Sequence, residues 1–129
     1  MSDVEMLVKE KLVSLKKQAI NALAEKNPQL YSLLNIYLTG KKYRFGLQIT
    51  EDGRKVDDFT ILSEGLDITE VQSGVLSPEV QHPFGVIKPY AIIEKDALEK
   101  MLQDEHAFVH EPFTMLRKYI SDITIKFMR

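Results

Sequence analysis

Two histidines four residues apart, His106 and His110, are the first chemistry the chain offers. On a helix that spacing turns both imidazoles to one face, where they could share a metal ion. Two ligands fall short of a site, and the neighbouring glutamates do not follow the His-Glu-x-x-His pattern of metalloproteases. Pro112 also favours ending a helix before His110, which would break the shared face. Surface or capping histidines, without a metal, are therefore expected.

A second candidate is the run Lys41-Lys42-Tyr43-Arg44-Phe45, where cations interleave with aromatic rings as in strands that stack bases and hold phosphate. The alternation argues for an ordinary strand, since Tyr43 and Phe45 share a face with Leu47 and Ile49 and read as core, while Arg44 points away. No nucleic-acid partner is expected. The carboxylate pairs Asp57-Asp58 and Asp104-Glu105 are sequence neighbours whose side chains diverge, with nothing apolar to raise either pKa for acid–base work. No serine sits in a Gly-x-Ser-x-Gly elbow, and neither glycine-rich phosphate loop occurs. The sequence thus assigns no catalytic residue and no cofactor.

Composition sets the frame for these side chains. The 129 residues carry 17 Lys and Arg against 19 Asp and Glu, a net charge of −2, too balanced for whole-molecule attraction to a polyanion. At 44% hydrophobic and 28% charged, the chain has the make-up of a folded globular protein. Without cysteine it has no disulfide, thiolate metal site or thiol nucleophile, which suits a reducing cytoplasm. The acidic start lacks the basic and apolar regions of a signal peptide, and no apolar run is long enough to span a membrane. A cytoplasmic setting without integral membrane association is the expectation.

The elements follow from periodicity. Val4, Leu7, Val8, Leu12, Leu15, Ala19, Ala22 and Leu23 form one helical stripe between Asp3 and Glu25. Asn27 and Pro28 are a good cap and first-turn residue for a second helix to Leu38, which Gly40 stops. Then the period changes to two, with Tyr43, Phe45, Leu47 and Ile49 alternating against Arg44, Gly46, Gln48 and Thr50. Glu51-Asp52-Gly53 makes a turn, Phe59 and Ile61 mark a second strand, and Leu66, Ile68 and Val71 a third. The segment from Ser73 to Pro89 mixes prolines, glycines and apolar residues, and reads as a loop that packs down or covers something. Tyr90-Ala91-Ile92-Ile93 is a short buried strand and Glu94 to Glu105 a helix with Leu98, Met101 and Leu102 inward. A helix from Pro112 should bury Phe113, Leu116, Tyr119 and Ile120, before Ile123, Ile125 and Phe127 alternate in a last strand. Five strands and four amphipathic helices give an α+β fold, a mostly antiparallel five-stranded sheet with helices packed on one face. Residues 1–129 read as one domain, with a helical segment over 1–40 and an α+β core over 41–129.

From Lys41 to Arg129 the chain resembles the sterol carrier protein family of small lipid-binding domains. The resemblance lies in Tyr90-Ala91-Ile92-Ile93 running directly into Glu94-Lys95-Asp96-Ala97-Leu98-Glu99-Lys100-Met101-Leu102, and in the helix and alternating strand from Pro112 to Phe127. Lys42 to Gly65 fits the opening hairpin. The stretch from Ser73 to Pro89, the two-helix N-terminus and the end just after the last strand depart from the family pattern. The resemblance implies non-covalent binding of a lipid or other long apolar ligand in a cavity between sheet and helices. It points to Phe45, Leu47, Ile49, Leu98, Leu102, Phe113, Leu116 and Tyr119 as lining, with Phe84 and Val86 as a lid. Two other classes stay open. One is a protein-interaction or homodimerisation module with a solid core, the N-terminal stripe pairing with a second copy. The other is an accessory subunit of an enzyme.

Overall fold

The computed structural model describes residues 3–83 and 85–129, excepting the side chains of residues 82, 112 and 113. The first stripe becomes one long helix in which α1 (Asp3–Met6), a π-helical stretch (Leu7–Leu12) and α2 (Val13–Lys26) follow without a break. Its inward residues Val8 and Leu15 join the main core. Asn27 caps α3 (Pro28–Leu38), its side chain accepting from the Leu30 N–H at 3.2 Å, with Pro28 in the first turn.

Two strands, β1 (Lys42–Glu51) and β2 (Arg54–Glu64), form a hairpin whose turn is Asp52-Gly53. Both turn residues have positive φ, 53° and 80°, the conformation that matches the twist of a two-residue hairpin and favours Asp-Gly. β3 (Asp67–Ser73) extends the meander. The next strand of the sheet, β6 (Pro89–Glu94), lies on the other side of β1 and parallel to it, and β7 (Ile123–Phe127) closes that edge. The five-stranded order is therefore β3-β2-β1-β6-β7, antiparallel except at its centre. The Glu94 carboxylate ties this centre to the hairpin, accepting from the Thr50 hydroxyl at 2.6 Å and the Gly53 N–H at 2.9 Å.

The two faces of the sheet are covered by different parts of the chain. Leu47, Ile49, Phe59 and Ile93 pack against helix residues Val8, Leu15, Leu98, Leu102, Phe108, Met115 and Tyr119. These helices are α4 (Lys95–Gln103), α5 (Glu105–His110) and α6 (Pro112–Tyr119), with the N-terminal helix beside them. On the opposite, outer face lies the stretch after Ser73. Thr60, wholly buried there, donates to the Val75 carbonyl at 2.7 Å and accepts from the Ser77 N–H at 2.9 Å. The Leu76 side chain sits on Gly46, where an added Cβ would meet Leu76 Cδ1 and Tyr90 Cβ at 2.6 Å each. Glu79 then exchanges backbone hydrogen bonds with Arg44 and pairs with its guanidinium. The stretch does pack down, as its composition implies. It also forms an unforeseen hairpin of β4 (Val80–His82) and β5 (Gly85–Ile87).

Candidate functional site

Five of the eight expected lining residues come together in the structure. Leu47, Ile49, Leu98, Leu102 and Tyr119 belong to one buried hydrophobic cluster. Leu102 also borders an open cleft of about 650 Å³ at the start of the N-terminal helix, but Asp3, Glu10, Lys11, Glu99 and Glu105 share its walls. Val86 lies on β5, in the hairpin that follows the outer-face segment, with its side chain exposed. Phe84 and the side chain of Phe113 lie outside the described residues.

Three expected core positions differ. Phe45 shares the helix-side face with Leu47 and Ile49, and its ring meets Tyr43 edge-on at 5.1 Å, yet it is 42% exposed. Leu116 and Ile120 point to solvent, because α6 turns Met115 and Tyr119 inward, one helical turn apart. Tyr119 ties elements together. Its ring stacks on Phe108 at 5.8 Å between centroids, and its hydroxyl donates to the Asp104 carboxylate at the junction of α4 and α5. That bond, with a second from Lys118, holds Asp104 below the usual carboxylate range, and it raises the Tyr119 pKa in turn.

Register shows what the helices leave uncovered. Leu47 pairs with Ala91, and Ala91 with Ile125; Pro89 pairs with Phe127. Paired residues share a face, so Ile125 and Phe127 continue the apolar helix-side surface beyond the core. They are 58% and 62% exposed. Together with Phe45 they form an apolar strip, and the exposed Leu116 and Ile120 lie in the helical segment leading into β7. Sequence reasoning did not include Ile125 and Phe127 among site residues, since their alternation matches that of a covered strand.

The histidines are reached by a helix after all, because α5 extends to His110 before Pro112 begins α6. Their rings touch edge-on at 4.2 Å between centroids. The Lys26 ammonium lies 3.4 Å from His110 Nδ1 and donates to its carbonyl at 2.7 Å, a cation where a metal would need a carboxylate. Among the described residues no three metal-ligating side chains converge. Lys16, half-buried with its ammonium donating to the Leu66 carbonyl at 2.9 Å, titrates below the usual lysine range through burial, an effect that Asp67 partly offsets. Both lysines act as ties between elements.

No family model and no curated protein matches the chain. Among solved structures it is similar to Sterol Carrier Protein 2 Like 2 from Aedes aegypti, at 15% identity and a TM-score of 0.40, over 95% of this chain and 87% of that one. Among the described residues, no helix is long and apolar enough to cross a membrane.

Proposed function

We propose that the protein binds a lipid or another long apolar molecule against the helix-side face of its sheet, without transforming it. The observation that carries this reading is the strip of Phe45, Ile125 and Phe127, where the apolar alternation of the strands runs past the end of the helical cover. Apolar side chains held on a rigid sheet gain when their surface leaves water, by about 25 cal/mol for each Å² buried. An alkyl chain laid along the strip gains about 0.8 kcal/mol for each methylene removed from water.

Native mass spectrometry of the purified protein, followed by lipid extraction, tests for a carried ligand, and titration with a fluorescent polyunsaturated fatty acid tests for uptake. Phe45→Gln should weaken uptake about fivefold, from the loss of about 1 kcal/mol of ring burial, while leaving the unfolding temperature nearly unchanged. No carried lipid and no saturable uptake would defeat the proposal. A second reading, an interaction module, is favoured by α3, which exposes Leu33, Ile36 and Tyr37 and has no buried residue. Under that reading Phe45→Gln leaves partner binding intact, and Ile36→Asp abolishes it.

A further inference from the structure

β7 is the last strand of the sheet, hydrogen-bonded on one side to β6 and with no strand along its other side among the described residues. Its backbone orientation follows from one bond. Met128 donates its N–H to the carbonyl of Lys88, which stands opposite it in the register that sets Phe127 against Pro89 and Ile125 against Ala91. Hydrogen-bonded pairs alternate in an antiparallel ladder. Residues 124, 126 and 128 therefore turn their N–H and C=O groups toward β6, and Ile123, Ile125 and Phe127 turn theirs outward. The residues with the exposed apolar side chains are thus the ones with outward backbone groups. An edge of this kind, without proline or bulge, is a template for another strand.

We infer that the strand it takes is β7 of a second copy of this chain, antiparallel and centred on Ile125, so that two sheets become one. In that register Ile125 faces the partner's Ile125 and Ile123 faces the partner's Phe127, and the whole of the strand is paired. The facing pairs exchange the outward N–H and C=O groups.

Charge and local structure select this register over its neighbours. A shift by one residue sets outward groups against inward ones. A shift by two in one direction brings Lys126 against the partner's Lys126, and in the other it runs the pairing into the 3-10 turn Ile120–Asp122. The centred register instead puts Lys126 opposite the partner's Thr124, so that no like charges face each other across the new ladder. The other free edge of the sheet is blunted, because β3 pairs with β2 across a register shift at Leu62/Ser63. This inference shares Ile125 and Phe127 with the ligand reading, and Phe45, which lies off the β7 edge, is the residue that separates the two.

The chain has no cysteine, so Ile125→Cys introduces a sole thiol at the two-fold axis. Facing residues there have Cα atoms about 5.5 Å apart, within the span of a disulfide. Mild oxidation should convert most of this variant to a covalent dimer, while Leu33→Cys on α3 stays monomeric under the same conditions. Sedimentation of the parent at micromolar concentration should show a dimer. Ile125→Pro removes an N–H that β6 does not use, a change an edge strand tolerates, and Ile125→Lys sets two ammonium groups face to face. Both variants should sediment as monomers with unchanged circular dichroism. A monomeric parent, a dimer that survives both substitutions, or cross-linking of the Leu33→Cys variant equal to that of Ile125→Cys would overturn the inference. Phe45→Gln should remain dimeric whatever its ligand uptake.

Discussion

Gly46→Ala tests where the chain crosses the sheet. Gly46 sits in β1 opposite Tyr90 of β6, and Leu76 lies over it on the outer face. A methyl group at this position would stand 2.6 Å from Leu76 Cδ1 and 2.6 Å from Tyr90 Cβ. The Leu76 tip can rotate away, but Tyr90 Cβ is fixed to its backbone, so the central β1–β6 pairing must spread. Overpacking of this kind costs about 1–3 kcal/mol. Because Tyr90 Cβ cannot move away, the cost falls in the upper part of that range, about 2–3 kcal/mol, and the roughly 1 kcal/mol that alanine recovers by restricting the unfolded chain leaves a net loss of about 1–2 kcal/mol. With an unfolding entropy of about 0.27 kcal/mol/K for a chain this long, the midpoint should fall by about 4–7 °C. Thermal unfolding followed by circular dichroism reads this directly. Adding Leu76→Ala to Gly46→Ala should restore less than half of the loss, because the contact with Tyr90 remains. A Gly46→Ala protein as stable as the parent, or more so, would refute the placement of residues 75–79 on the outer face and the close β1–β6 approach with it.

Met115→Ala should cost about 2–5 kcal/mol and Leu116→Ala less than about 0.5 kcal/mol, although the two are adjacent, since only Met115 is turned into the core; urea unfolding separates them. Tyr119→Phe should raise the Asp104 pKa toward the ordinary carboxylate value, measurable by NMR titration. Because that pKa is depressed in the folded state, the stability it contributes is present above the unfolded value near about 4 and is lost as pH falls through the folded one. The difference in unfolding temperature between parent and variant should therefore be full at neutral pH and shrink in acid.

Periodicity located every strand of the main sheet, because each has one apolar face and alternation survives even where strands are short. The Asn27-Pro28 start of α3 was equally legible, being local chemistry between neighbours. Helix phase was not. From Pro112 onward several apolar residues compete for the inward face, and the pattern puts Leu116 and Ile120 inward with Tyr119 and passes over Met115. The packing of α6 beside Phe108 decides between them. The exposed strip was hidden for a related reason. Phe45 and Phe127 have the same alternation as Leu47 and Ile93, and only the lateral extent of the helices distinguishes them. The hairpin of β4 and β5 has strands of three residues each, too short for a period to show.

The route that the chain takes after β3 has a consequence for how this protein could vary in length. Glu79 stands beside Arg44, and Tyr90 beside Gly46, two residues along the same edge of β1 and hence about 7 Å apart. The chain between them returns almost to its point of departure. Residues 75–79 carry the chain over the sheet and are tied down, and Lys88 is tied to Met128, whereas the hairpin of β4 and β5 between them turns back on itself. Related chains could shorten or lengthen that hairpin freely, since even doubling a loop costs only about 0.6 kcal/mol. A reporter or a foreign peptide placed there would ride on the molecule without altering the strand order.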